Sequence, residues 1–451
     1  MRPFLVLFLI SVIFPALGQD TTWHFASTNG GVYPIDLPTV LRLAGARNLD
    51  IQIAREQLNE AKANHDSAVE QFFPWVSPGI TYHRRDGLAQ AVPLGTLSDA
   101  HYESYAPGGT VAAQVDIGDA IYKSLAARQL VNASRQALEA QLQDSTVSAA
   151  QRYFDLTKTK TLADVSREAL EISQSYEKEL HEAVGAGIAF KGDELRVQTE
   201  TDSDQIALRR ALEQQRIAAV SLAEVLHLNP AVELVSRDDG LATVVLFETN
   251  TPSDALVQRA LQSRPELLQS RALVFAARQA KNGAVYGPLV PSIGAQVFAG
   301  GLGGGPDGGP GNFGESKDYL VGLSWRIGPG GLFDSGRINA SKARLAAVQI
   351  NEAKLRDVII GQVITGVTRT QSLSEQIEMT KRKLAAASET LRLTRERKQF
   401  GVGIVLEEIQ AQQALTQARA QYVTAVAEFN SAEYELAKAV GSPLVFGARN
   451  N

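Results

Sequence analysis

The stretch Tyr319-Leu320-Val321-Gly322-Leu323-Ser324-Trp325-Arg326-Ile327 decides how this chain is to be read. Tyr319, Val321, Leu323, Trp325 and Ile327 share one parity, and Leu320, Gly322, Ser324 and Arg326 the other. A period of two predicts a strand with two unlike faces. Three further segments alternate in the same way. Ile293, Ala295, Val297 and Ala299 interleave with Ser292, Gly294, Gln296 and Phe298. Val111, Ala113, Val115 and Ile117 interleave with Thr110, Ala112, Gln114 and Asp116. Val76, Pro78, Ile80 and Tyr82 interleave with Ser77, Gly79, Thr81 and His83. Strands of about 8–10 residues have the length of a tilted strand crossing a bilayer. Tyr82, Tyr319 and Trp325 suit an interfacial aromatic girdle. Two soluble hairpins laid on helices would also alternate, but they would leave open sheet edges.

Around these strands the chain reads as helix of unusual length. Residues 119–184 contain neither Pro nor Gly, and residues 337–400 contain no Pro and Gly only at Gly361 and Gly366. Leu138, Leu142, Ala149 and Leu156 form a narrow coiled-coil-like seam in the first; Leu345, Val348, Leu355, Ile359, Ile377, Leu384 and Leu391 do so in the second. About 65 residues rising about 1.5 Å each give a helix of about 100 Å. Each long helix has two shorter companions, 39–72 and 193–228 for the first, 253–286 and 407–440 for the second. The lengths predict one continuous helix beside a broken one in each half.

The pattern helix, Pro, strand, loop, strand, long helix, Gly-rich turn, helix therefore occurs twice, offset by about 216 positions. Leu49-Asp50-Ile51 answers Pro265-Glu266-Leu267, Phe72-Phe73-Pro74 answers Leu289-Val290-Pro291, and Gly185-Ala186-Gly187 answers Gly401-Val402-Gly403. Such a period is a duplicated structural half rather than a short solenoid unit. The expected division is 1–18, a leader; 19–230, the first repeat; 231–252, a linking equatorial segment; 253–441, the second repeat; and 442–451, a tail. The leader has one Arg, an apolar run and Ala16-Leu17-Gly18 before Gln19, which reads as a secretory signal peptide.

Composition excludes several classes. The 451 residues include no Cys, which removes disulfides, thiolate metal sites and an acylated lipoprotein cysteine. A net charge of −5 with both signs interspersed argues against a nucleic-acid partner. His24, His65, His83, His101, His181 and His227 show no metal-ligand spacing, and no G-x-S-x-G occurs. Neither enzyme nor cofactor nor metal site is expected. Residues 84–109 and 300–318 are expected as loops between paired strands. The second contains G-x-G-x-x-G at Gly303, Gly305 and Gly308, but a strand rather than a helix follows, so it reads as an external loop and not a phosphate cradle. Four strands cannot close a barrel, and an open edge in lipid is not viable. Three chains would supply twelve strands.

At this point the chain resembles the TolC-type outer-membrane efflux protein family. The residues that carry the resemblance are both helix–Pro–strand junctions, Leu332-Phe333-Asp334-Ser335-Gly336-Arg337 after the last strand, both Gly-rich tips and the closing helix from Gly401 to Gly441. The first half departs where Ile117-Gly118-Asp119-Ala120 replaces the family's Phe-Asp-x-Gly-Arg turn. The resemblance implies a mainly α fold with a small β-barrel contribution: four strands per chain in a shared trimeric twelve-stranded barrel, standing on a long α-helical periplasmic tunnel. Residues 19–38, 231–252 and 441–451 would form an equatorial belt. It implies a homotrimer in outer-membrane lipid, passively exporting small molecules through a periplasmic adaptor and an inner-membrane transporter. Protein export in a type I secretion system is the alternative, and a periplasmic coiled-coil structural protein the second. Val111, Val115, Val321, Leu323 and Trp325 are the candidates to face lipid. Gly185, Gly187, Asp193, Gly401 and Gly403 are the candidates to dock the adaptor. In the family prototype two carboxylates ring the periplasmic aperture; those positions fall here at Glu407 and Gln410, so one ring of acids is expected rather than two.

Overall fold

The computed structural model of the chain describes residues 32–73, 75–90, 97–238, 240–248, 251–305, 313–399 and 405–442. The leader, the tail beyond residue 442, Gly308, Gly401 and Gly403 lie outside the described residues. The elements in order are β1 (Val32–Ile35), α1 (Leu37–Arg47), α2 (Leu49–Glu70), β2 (Trp75–Gln90), β3 (Leu97–Val115), α3 (Ile117–Gly185), α4 (Lys191–Val225), β4 (Glu233–Ser236), α5 (Ser253–Ser263), α6 (Pro265–Tyr286), β5 (Ser292–Gly305), β6 (Gly314–Ser324), α7 (Ser335–Gln399) and α8 (Val405–Val440). The two long helices run for 69 and 65 residues. They stay unbroken because no Pro interrupts their hydrogen-bond ladders.

The helices form one layer. α3 packs against α2 and α4 on one side and against α6 and α8 on the other, and α7 packs against α6 and α8 in turn. Side by side the order is therefore α2/α4, α3, α6/α8, α7, with continuous helices alternating with broken ones. Small residues line the seams: Ala149, Ala150, Ala163 and Ala418 are fully buried. They let backbones approach while Leu156, Leu222, Ile359 and Val426, also fully buried, supply apolar area. Each such side chain contributes roughly 1.5–3 kcal/mol.

The expected helices 39–72 and 253–286 are each divided by one residue, Asn48 and Arg264. At Arg264 the cause is the Pro that follows, which disfavours helical backbone in the preceding residue. At Asn48 it is a cap. The buried Asn48 side chain accepts from the backbone N–H groups of Asp50 at 2.8 Å and Ile51 at 3.2 Å. Its amide also donates to the carbonyl of Val225, the last residue of α4, at 3.4 Å. One side chain thus closes the start of α2 and the end of α4, so the two pieces stack end to end along α3. The second half uses different chemistry for the same joint. Ser263 Oγ donates to the carbonyl of Val440 at 3.0 Å, Gly441 ends α8 at φ +70°, and the buried Arg264 guanidinium binds Glu266.

β1 and β4 pair in parallel as a small separate sheet. The expected equatorial segments supply both strands, but at four residues each they are too short for alternation to reveal. Ile35 and Leu234 enter the core beside Val40, Phe154 and Leu226. Tyr153 fixes the sheet to α3 by donating to Asp238 Oδ2 at 2.5 Å, and burial pushes its phenol up to about 12.

The larger sheet has the order β2-β3-β5-β6, antiparallel throughout. Here three expectations need correction. Residues 84–109 are not a loop: β2 continues to Gln90 and β3 begins at Leu97, with Tyr82 opposite Tyr105 and Arg84 3.2 Å from Glu103. Backbone pairing sustains this extension where side-chain alternation has lapsed. Likewise β5 reaches Gly305 and β6 starts at Gly314, so 300–318 is mostly strand. At the other end β6 stops at Ser324 and β3 at Val115, short of Ile327 and Ile117. Gly118 explains the second case: a Cβ there would lie 2.2 Å from the Gly287 carbonyl oxygen, so α3 must already be turning past the end of α6.

Replacing Asn48 by Ala removes both functions of the joint and should destabilise the chain by about 1–2 kcal/mol, read as a lowered midpoint in thermal unfolding followed by circular dichroism. Asn48→Asp keeps the cap of α2 but loses the donor to Val225, and should cost less than Asn48→Ala.

Candidate functional site

Three surfaces carry the candidate residues: one face of the sheet, and the tip of each helical hairpin. The register settles the first geometrically. Val111 pairs with Val297, which pairs with Tyr319; Ala113 with Ala295, which pairs with Val321; Val115 with Ile293, which pairs with Leu323. All four lipid candidates within strands therefore share one face, together with Ile80 and Tyr82 of β2. Val321 is 77 % exposed and Leu323 60 %. The opposite face presents Gln114, Gly294, Gln296 and Gly322 in register. Trp325 stands just past β6, exposed, its indole N–H donating to the Leu289 carbonyl at 3.4 Å.

At the first tip, α3 ends at Gly185 and the chain reverses through Gly187 at φ +75°. Gly187 N–H donates to the Val184 carbonyl at 2.9 Å and Ile188 N–H to that of Ala183 at 2.9 Å, closing the helix end. Gly187 alone needs the left-handed region that side chains avoid. Gly185 is ordinary helix with open space where a Cβ would go, which corrects the expectation that both glycines make the turn. Asp193, in the first turn of α4, pairs with Arg196 at 3.2 Å. Beside it Glu194 bridges Lys191 at 2.6 Å and His181 at 2.9 Å, and these partners hold its carboxyl below the usual range. Alternation and charge did not single out the tip's apolar side chains: Ile188 is 82 % exposed and Phe190 74 %.

At the second tip, Glu407 lies in the first turn of α8, half-exposed, with Oε2 3.1 Å from Arg397 of α7. Its neighbour Glu408 lies 3.4 Å from Arg395. Gln410 is exposed one turn further on. The expected ring acid is thus ion-paired across the hairpin. The sequence shows opposite charges flanking the tip, Arg395 and Arg397 before it and Glu407-Glu408 after it, but which of them meet is set by the hairpin.

A cavity of about 710 Å³ lies between α3, α7 and α8 at the joint of α6 and α8. Its charged groups are mutually engaged: Arg369 with Glu435 at 3.1 Å, Lys438 with Asp144 at 2.5 Å. Among the described residues no cluster of His, Cys, Asp or Glu is arranged to hold a metal ion, and no helix is long and apolar enough to cross a membrane.

A duplicated chain with a continuous-and-broken helix layer leading into a four-stranded antiparallel sheet has the architecture of the outer-membrane channel proteins. The outer membrane efflux protein family model matches residues 40–226 and 256–442. The chain belongs to this family of non-enzymatic outer-membrane efflux channels. The two matched segments are themselves offset by 216 positions, the interval read from the Gly-rich tips. Among solved structures it is similar to the CmeC outer membrane channel of Campylobacter jejuni, with 16 % identity and a TM-score of 0.75 over 90 % of this chain and 85 % of that one. It is similar to the outer membrane protein VceC of Vibrio cholerae, with 17 % identity and a TM-score of 0.73 over 90 % and 96 %. It is similar also to the open state of the Neisseria gonorrhoeae MtrE outer membrane channel, with 16 % identity and a TM-score of 0.74 over 92 % and 91 %. No curated protein matches the sequence.

The two tip glycines should respond with opposite signs. Gly187→Ala forces a side chain into left-handed backbone and should cost about 1–2 kcal/mol. Gly185→Ala replaces a helical Gly with space to spare and should be neutral or stabilising by up to about 1 kcal/mol. Thermal unfolding midpoints of the two variants against the parent chain test the pair.

Proposed function

We propose that three copies of this chain assemble head to tail into the exit duct of a tripartite efflux system: a twelve-stranded barrel in the outer membrane above a helical tunnel in the periplasm. Small molecules pass outward through it passively, delivered by an inner-membrane transporter through a periplasmic adaptor. The observation that supports this reading most directly is that both layers end in open edges on matching sides. β2 bounds the sheet on the side of α2 and α4, and β6 bounds it on the side of α7. Both helical edges expose apolar side chains, Ile53, Ile206 and Ile217 on one, Ile350, Ile364 and Met379 on the other. An edge unlike its opposite makes a heterologous contact, which closes into a ring when the rotation allows. Because four strands alternate in direction, β6 of one copy meets β2 of the next antiparallel, and the even total of twelve suits a bacterial outer-membrane barrel.

In this assembly Val111, Val115, Val321, Leu323 and Trp325 face lipid, and the polar face with Gln114 and Gln296 faces the pore. The tips dock the adaptor: Gly185, Gly187 and Asp193 with the exposed Ile188 and Phe190 at one, Gly401 and Gly403 at the other. Glu407 and Gln410 ring the periplasmic aperture, with Arg397 offsetting the Glu407 charge.

The detergent-solubilised mature protein should have the mass of a trimer; a stable monomer in native mass measurement would sink the assembly and the duct together. For the aperture, planar-bilayer conductance should give Glu407→Gln lower cation selectivity than the parent and Arg397→Gln higher cation selectivity, because each removes one member of an opposed pair at the constriction. Unchanged selectivity in both would move the constriction elsewhere.

A further inference from the structure

β5 and β6 break the alternation that sets their two faces. Opposite the Val321 face, the residues that line a barrel's pore are expected to be polar or small. Gln114, Gly294, Gln296, Gly322 and Ser324 follow that rule. Phe298, Leu302 and Leu320 stand in the same register and do not. Leu320 is 63 % exposed and Leu302 51 %. Phe298 is only half-buried, and its ring lies along the sheet on a bed of glycine. A Cβ at Gly108 of β3 would come within 2.7 Å of the ring's Cε2, and one at Gly300 of β5 within 2.9 Å of its Cζ. The two glycines thus let the ring lie flat across two strands. Leu320 is its diagonal neighbour on β6, within reach of an aromatic side chain. The result is an apolar stripe on the face where polar residues belong, and breaks in a local rule collect at functional sites.

The charge beside the stripe says what fits it. Asp318 pairs directly with Phe298 across β5 and β6 and shares its face. It is exposed, and among the described residues no cation lies within ion-pair distance of it. Lys317, its neighbour in sequence, belongs to the other face and is held by Glu315 at 2.7 Å. β5 carries no charged residue at all, and on this face of the chain's end of β6 none follows Asp318 before Arg326. One uncompensated carboxylate beside a flat aromatic ring and two leucines is complementary to a positive charge carried on an aromatic body. The charge meets Asp318 and is attracted by the Phe298 π-face. The body covers Leu302 and Leu320, which otherwise stand against water. An anion of the same shape is repelled by Asp318, and a cation without the ring gains nothing from the stripe.

We propose that Phe298, Leu302, Leu320 and Asp318 form a binding site in the pore wall for aromatic organic cations, one site per chain. This rests on the reading that the Val321 face meets lipid and its opposite lines a pore, and the test separates the two. The full chain is placed in planar bilayers, and block of its ion current is titrated with benzyltrimethylammonium, tetramethylammonium and benzenesulfonate. Benzyltrimethylammonium alone carries both ring and positive charge, so it should block the parent at the lowest concentration. Asp318→Asn and Phe298→Leu should each raise its half-blocking concentration by about 2–5-fold, the worth of one exposed charge or cation–π contact. Conductance without blocker should be kept. Leu320→Ser, at an exposed position, supplies the apolar arm if Phe298→Leu does not assemble. A parent that conducts, with half-blocking concentrations unchanged in these variants, overturns the site and leaves the pore reading standing. Weaker block in Asp318→Asn alone also overturns it, because charge without the stripe does not select aromatic cations. A parent that forms no conducting pore overturns both.

Discussion

Every backbone N–H and C=O in this chain has to find a partner, and the architecture follows from how that is done in each region. The long helices solve it internally, residue by residue, over 69 and 65 positions. Where the flanking helices break, the orphaned groups are met locally by Asn48 in one half and by Ser263 with Gly441 in the other. In the sheet each strand relies on its neighbour, and that dependence ends only where a strand has neighbours on both sides. β2 and β6 have one each. In a medium that offers no hydrogen bonds, a sheet with two bare edges is not a finished object. On the trimeric reading, that constraint makes the unpaired strand edges, rather than the helices, the reason for assembly.

The two halves use the same plan with different parts. Asn48 and Arg264 stand 216 positions apart and occupy the same joint, yet one works as a cap and a bridge while the other is a buried guanidinium held by Glu266. The sheet-to-helix corners differ more. Asp116 accepts a hydrogen bond from Ser292 and α3 begins at once, whereas the second half inserts a Gly-rich turn closed by Asp334. Divergence has therefore collected at joints and corners, while the seams between helices keep their small-residue character.

Much of this was legible in the sequence, and the failures have physical causes. Long Pro-free periodic runs gave α3 and α7 nearly end to end. Alternation gave all four strands of the sheet, and the register places Val111, Val115, Val321 and Leu323 on one face, as alternation required. It gave their ends poorly. Alternation reports the part of a strand with two different environments, and beyond Tyr82 and Ala299 pairing is carried by backbone through Gly-rich stretches such as Gly300–Gly305. β1 and β4 left no trace because four residues hold too few periods. At the tips, glycine spacing located the turn but could not tell Gly187, which needs its φ of +75°, from Gly185, which does not. Glu407 was legible as an acid at a helix start; its pairing with Arg397 depends on how the hairpin brings α7 and α8 into register, which no local pattern encodes.

The interval of 216 also bears on how such an assembly came to be. Within one chain, α3 packs on α6 and α8, and β3 pairs with β5. On the trimeric reading the contact between chains repeats those pairings, with α7 on α2 and α4 and β6 on β2. A half-length ancestor would then have closed a ring from six identical copies, with six seams to form by collision. Fusing two copies makes three of those seams covalent neighbours, so that three seams rather than six remain to form between separate chains and no ring can close with an odd number of halves. Fusion also freed the two halves to differ, and the joint at Asn48 and the turn before α7 are where that freedom has been used.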